Sequence, residues 1–235
     1  MSDRGSPIGR RVFLGLVGLG AVGVLTGSKI EDFVSKLASP VVSKDSTGLT
    51  GFLPLEGFRF YTVTDGFPSR STDAYRLTVK GLVDKPYTLT YDELLAMKST
   101  TLKKDFQCVT GWRVPQVEWK GVLLHDLLAR AGVQPQGRAL RFTSFDGEYT
   151  ESLTLDQARR SDVIVAYELE HKPLSSKHGG PVRLFVAPMY GYKSCKWLDT
   201  IEVTDHVIPG YWEDNGYDVD GWVGRSNGRD DQPTS

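Results

Sequence analysis

Apolar and polar positions along the chain change period several times, and each change marks an element. In "YRLTVKGLV", Tyr75, Leu77 and Val79 alternate with polar neighbours, which predicts a half-buried strand. "FRFYTV" (Phe58 to Val63) also has strand composition. "TYDELLAMK" opens on Thr90 with Glu93 three residues on, a capping box that predicts a short helix. "TLKKDFQCVT" reads as a strand running into a loop at Gly111. "GVLLHDLLARAG" then spaces Leu123, Leu124, Leu127 and Leu128 as one helix face and stops at Gly132. "ALRFTSFDGEYTESLTL" is a hairpin turning at Asp146-Gly147. "LDQARR" predicts a short helix, and "VIVAYELE" and "PVRLFVAP" are apolar strands. "KSCKWLDTIEVTD" begins as a turn or short helix and finishes as a strand, and the Gly-, Asp- and Trp-rich stretch after Pro209 reads as surface loop. Strands and short helices mix without a βαβ rhythm, so the fold class expected is α+β, mostly β.

The N-terminus has a different pattern. Arg10 and Arg11 precede an apolar, glycine-rich run from Val12 to Leu25, the layout of an export signal. The run is short for a membrane span, which takes roughly 20 apolar residues. The Arg-Arg pair followed by Val12, Phe13 and Leu14 resembles a twin-arginine signal, with Gly9 and Gly15 departing from the usual pattern. An uncleaved N-terminal anchor is the alternative. The expected divisions are 1–38 for the signal or anchor, 39–50 for a linker, 51–225 for the folded domain and 226–235 for a flexible tail. Either N-terminal reading places the domain in the periplasm or otherwise outside the cytoplasm. The 235 residues, 40% of them hydrophobic, suffice for a sizeable core. With 28 basic and 29 acidic residues the net charge is −1, and no basic run interleaves with aromatics, which argues against nucleic-acid binding.

Two cysteines, Cys108 and Cys195, raise the question of chemistry. In an exported chain they most simply form one disulfide, as in a stapled binding module without a cofactor. A nucleophilic cysteine needs a base, and none of the four histidines shows a telling spacing to Cys108. No C-x-x-C or H-x-x-x-H pair suggests zinc. A lone thiolate still serves a soft metal when a cofactor supplies the other ligands, and that reading requires an anion-binding pocket elsewhere. "SSKHGGPVRLFVAPMYGYKSCKW" supplies one. Gly179 and Gly180 permit close approach, Arg183 can grip an anion, "KSCK" can present successive backbone N–H groups, and Lys193, Ser194 and Lys196 add donors.

Taken in order, "FQCVTGW", "WKGVLLHDLL", "HGGPVRLFVAP" and "GYKSCKWLDTIEV" resemble the molybdopterin-binding domain of the sulfite oxidase superfamily. The branch is similar to the periplasmic methionine sulfoxide reductase catalytic subunit, and the likeness spans roughly Leu55 to Gly224. It implies a sulfite-oxidase-type fold, a single domain here without the C-terminal dimerisation domain. It implies a Mo-molybdopterin cofactor with Cys108 as the only protein ligand to molybdenum. It places His178, Arg183, Ser194, Cys195, Lys196 and Thr143 on the cofactor, with Arg59, Thr62 and Val63 on an N-terminal cofactor-binding strand. The position of His178 is Asn in the methionine sulfoxide reductase.

Metal ligation excludes a Cys108–Cys195 disulfide. Sulfite-oxidising members carry arginines just after the ligand, whereas here Val109, Thr110, Gly111 and Trp112 follow, with only Arg113 basic. Trp112 and Arg113 therefore stand as substrate-side residues, although Trp112 fits a core position equally well. The expectation is a monomeric, exported oxidoreductase that moves an oxygen atom between the metal and a small substrate. A sulfoxide or similar small oxide is the first choice, and oxidation of sulfite or another sulfur compound the second. No haem motif is present in the chain, so the resemblance implies a separate electron-transfer partner, such as a membrane cytochrome or quinone-linked protein.

Overall fold

The computed structural model describes residues 57–232. The export segment, the linker and the first residues expected in the domain lie outside the described residues. Among the described residues, no helix is long and apolar enough to cross a membrane.

Among the described residues, ten strands form two five-stranded sheets. The first contains β1 (Arg76–Gly81), β2 (Tyr87–Thr90), β5 (Ala139–Ser144), β6 (Thr150–Thr154) and β10 (Leu198–Thr204), in the order β2-β1-β10-β5-β6. Only the β1–β10 pair in it is parallel. The second contains β3 (Thr100–Gln107), β4 (Arg113–Leu123), β7 (Val163–Leu169), β8 (Lys172–Pro173) and β9 (Arg183–Val186), with β7 pairing β4, β8 and β9. Among the described residues, three short α-helices lie in the connections, α1 (Tyr91–Leu95), α2 (Leu124–Ala131) and α3 (Leu155–Ala158), and a fourth, α4 (Tyr211–Asp214), follows β10.

The sequence pattern explains most of this. On α1, Thr90 accepts from the Glu93 N–H while Glu93 accepts from the Thr90 N–H, the expected capping box. A second such box, Thr154 with Gln157, starts α3. The α2 helix buries Leu124, Leu127, Leu128 and Ala131 and ends on Gly132 in the left-handed conformation. Each buried leucine is worth about 1.5–3 kcal/mol relative to exposure.

β7 and β9 are apolar on both faces because both faces are covered. Val163, Val165, Tyr167, Leu184 and Val186 pack into the main core. Ile164, Ala166, Phe185 and the following Ala187 face a second, aromatic core with Phe106, Trp112 and Trp119. This double burial produces the unbroken runs "VIVAY" and "RLFVA".

Two expectations change. Residues 58–63 form no strand; they run as an irregular segment beside the aromatic core. Their aromatic residues mimic strand composition, but they serve packing and cavity walls rather than a hydrogen-bonded ladder. The stretch after Pro209 is not all surface loop: it includes α4, buries Glu213, Val223 and Ser226, and pairs Trp222 with Met189 in a β-bridge.

Candidate functional site

One cavity of about 280 Å³ is enclosed by the segment 58–63, the β3–β4 connection, the β5–β6 hairpin, the loop before β9, the turn before β10 and α4 with its following residues. At its wall stands Cys108. β3 ends at Gln107 and β4 begins at Arg113, so the cysteine occupies a tight connection. Its N–H donates to the Trp112 carbonyl at 2.9 Å, and the Gly111 N–H donates to the Cys108 carbonyl at 3.0 Å. Trp112 stacks on Phe106 with centroids 5.7 Å apart, which ties the connection to the aromatic core. The Thr110 hydroxyl donates to Cys108 Sγ at 3.2 Å. Burial raises the thiol pKa, opposed by Thr110 and by the charges of Arg59 and Arg229. Both cysteines are free thiols, and Cys195 is fully buried in the main core, so the disulfide-stapled alternative has no support here.

Arg183 is 3% exposed. Its Nε donates to the Leu184 carbonyl at 3.2 Å, Nη1 to the His178 carbonyl at 2.8 Å and Nη2 to the Ser194 carbonyl at 2.9 Å. It lies 5.4 Å from the Phe106 centroid and 5.2 Å from that of Trp119. No carboxylate pairs with it among the described residues, and burial lowers its pKa to about 10. A buried guanidinium held by carbonyls and rings, but without a counter-charge, is set up to receive an anion.

Lys196 stands beside it. Gly179, at φ +92°, permits the approach, since a Cβ there would meet Lys196 Cγ at 2.6 Å. Lys196 Nζ donates to the Tyr61 carbonyl and lies 4.4 Å from the Trp197 ring centroid. Burial, and then the Arg183 charge, lower its pKa to about 7. His178 sits edge-on to Phe58 and Phe60, with centroids 4.9 and 4.8 Å away. Burial and the two cations depress its pKa to about 4, so it is neutral near pH 7. Asp146 uses Oδ1 for the Glu148 and Tyr149 N–H groups, at 3.0 and 2.8 Å. Its buried Oδ2 has no hydrogen-bond partner among the described residues, an acceptor open to the N–H groups of a heterocycle.

The cavity wall thus brings together Arg59, Thr62, Val63, Cys108, Trp112, His178, Arg183, Ser194 and Lys196. Arg113, Thr143 and Cys195 are not on it. Arg113 pairs with the buried Asp105. Thr143 is on β5, between partners Thr200 and Thr150. Cys195 points into the core, as an apolar thiol does.

Lys193 does not serve the cavity either: its ammonium is fully buried between Glu151 and Glu213. Two of the four "KSCK" N–H groups are engaged within the protein. Those of Lys193 and Ser194 close the 3₁₀ turn Gly191–Lys193 through the Tyr190 and Gly191 carbonyls, at 2.9 and 3.1 Å. Sequence reading missed Phe58, Phe60, Tyr61, Asp146, Tyr149, Tyr192, Trp197, Trp212 and Tyr217, all on the wall. The signal available was aromatic density in the segments 58–61 and 211–217, which exceeds what loops need.

A thiol at one place on the wall, two cations (Arg183 and Lys196) without carboxylate partners among the described residues at another and an acceptor at Asp146 fit an anionic heterocyclic cofactor that brings a soft metal to sulfur. Comparison with known proteins agrees. The family described as "Oxidoreductase molybdopterin binding domain" matches residues 65–212. The chain is 35% identical over 147 residues to the uncharacterized oxidoreductase YuiH of Bacillus subtilis, covering 63% of this chain and 74% of that protein. It is 30% identical over 235 residues to the putative protein-methionine-sulfoxide reductase subunit YedZ1 of Azospira oryzae, covering 92% and 88%. Among solved structures, the sulfane dehydrogenase SoxCD of Paracoccus pantotrophus aligns with a TM-score of 0.56 at 27% identity, over 61% of this chain and 41% of that one. Sequence pattern, fold and cavity chemistry converge, and the chain belongs to the molybdopterin-binding oxidoreductase domain family of the sulfite oxidase superfamily, with Mo-molybdopterin as its cofactor.

Proposed function

We propose that the protein is an exported oxygen-atom-transfer enzyme that reduces a sulfoxide or similar small oxide, using electrons from a separate redox partner. The overall reaction consumes two electrons and two protons and releases the reduced substrate and water. When bound, the cofactor supplies the two-electron chemistry that the side chains lack. Cys108 would ligate the metal, and Arg183 and Lys196 would hold the anionic end of the pterin. Neutral His178 would contact the ring system, and Asp146 would accept from its N–H groups.

One observation carries the choice of substrate. Arg113, the basic residue of the ligand motif, is turned away into its pair with Asp105. The residues that follow Cys108 on the wall, Val109, Thr110 and Trp112, are uncharged, and the charges that do reach the sulfur, Arg59 and Arg229, come from distant segments, an arrangement that supports an uncharged oxide over an oxyanion. Oxidation of a reduced sulfur compound is the second reading. It is favoured by Arg59 on the cavity wall and by the likeness to a sulfane dehydrogenase. Export rests on the N-terminal pattern of paired arginines and apolar residues.

The test compares oxidation of a reduced dye by sulfoxides with sulfite-driven reduction of an acceptor, on purified loaded protein. Sulfoxide turnover at the higher kcat/KM is expected; sulfite turnover alone would replace the first reading with the second. Near one molybdenum per chain, lost in Cys108→Ser, is expected from metal analysis. Retention of the metal in Cys108→Ser would remove the ligand assignment.

A further inference from the structure

The ligand turn is contacted by a residue far from it in sequence. Gly111 has φ +100°, and a Cβ there would stand 3.2 Å from Arg229 Nη2, so the guanidinium lies directly against the turn. The segment carrying Arg229 is anchored. Asp218 and Asn227 exchange backbone-to-side-chain bonds at 2.9 and 2.5 Å, Asn227 Nδ2 donates to the Tyr192 hydroxyl at 3.1 Å, and Ser226 is buried. Arg229 itself is fixed by Asp231, with Nε to Oδ2 at 2.6 Å and Nη2 to Oδ1 at 3.2 Å. Asp231 in turn accepts from the Tyr190 hydroxyl at 2.9 Å. Tyr190 is fully buried and immediately precedes the turn Gly191–Lys193.

We propose that Arg229, oriented by Asp231, is a positioning residue for Cys108, which holds a positive charge against the ligand turn and tunes how strongly the sulfur donates to the metal. The inference rests on the reading of Cys108 as the metal ligand. Outer partners of a metal ligand fix its orientation and modulate its basicity. A cation near a thiolate stabilises the electron pair that the sulfur shares, which weakens donation and raises the potential of the metal couple. The Arg229 side chain is 34% exposed, so solvent reduces this effect without removing it. Hydrogen bonds through Asp231 link Arg229 to the buried Tyr190, so the charge is held in place against the turn rather than free to swing.

The test reads spectra and potentials of the loaded protein. In Arg229→Gln the sulfur-to-metal charge-transfer band is expected to move to longer wavelength and the midpoint potential to fall. Arg229→Lys should restore most of both, and Asp231→Asn should give a smaller shift of the same sign. Wild-type band and potential in Arg229→Gln would overturn the proposal. If Arg229→Gln takes up no cofactor, Arg229→Lys decides: loading in the lysine variant supports a requirement for charge, and failure of both assigns the residue to shape alone. A Cys108→Ser protein that keeps metal and band would instead refute the ligand reading beneath the proposal.

Discussion

Arg183 and Lys193 are two cations buried almost completely in the same part of the fold, and they are balanced in opposite ways. Lys193 has two carboxylates, Glu151 and Glu213. Arg183 has three backbone carbonyls and two aromatic rings, and no carboxylate among the described residues. In sequence they looked alike, both basic residues of one Gly-rich segment. The difference separates structure from function. A buried cation whose charge is balanced within the protein holds elements together, here the turn Gly191–Lys193, β6 and α4. A buried cation left unbalanced faces a cavity and is completed by a ligand.

The comparison can be broken most forcefully at Lys193. Lys193→Met leaves two buried carboxylates facing each other and should cost roughly 3–5 kcal/mol of stability, read from denaturant unfolding of the cofactor-free protein. Arg183→Met should do the reverse. Cofactor content should fall about tenfold to a hundredfold, the equivalent of one charge-assisted hydrogen bond, while the cofactor-free protein stays folded by circular dichroism. Equal loss of folding in both variants would erase the distinction.

Lys196 sharpens the comparison through pH. With its pKa lowered to about 7, it is charged below that pH and neutral above it. Affinity of the cofactor-free protein for sulfate, whose charge is constant in this range, should therefore fall several-fold as pH rises through about 7, by calorimetric titration. Lys196→Met should remove that dependence and leave the contribution of Arg183.

The smallest effect is expected at Glu151. Burial raises its carboxyl pKa above the ordinary 4.5, opposed by Lys193 and reinforced by Glu213. The folded state thus holds a proton that the unfolded chain releases. The stability this contributes is complete below the ordinary carboxylate range and is lost as pH rises through the elevated folded value. Glu151→Gln should flatten the decline of Tm across that window. A parallel decline in both proteins would mean that Glu151 is ionised throughout.

How much of this was legible in the sequence depends on the range of the interaction. The capping box at Thr90, the α2 stripe with its Gly132 stop and the Asp146-Gly147 hairpin are local, and they appear where their patterns place them. The motif order brought Cys108, His178, Arg183, Ser194 and Lys196 to one cavity wall. What it could not reveal were partners chosen by tertiary contact. Arg113 turns to Asp105, Lys193 to Glu151 and Glu213, and Arg229 reaches Gly111 from the other end of the domain. Residues 58–63 misled for a related reason: aromatic residues that line a cavity have the composition of a strand but none of its pairing.

The cavity draws its walls from residues 58–63 and from Trp212 and Tyr217. These lie at opposite ends of the described domain, so a nascent chain still on the ribosome cannot enclose a cofactor until nearly all of the domain has been synthesised. Loading is in this sense a late event in the life of the polypeptide, one for a finished protein rather than a growing one.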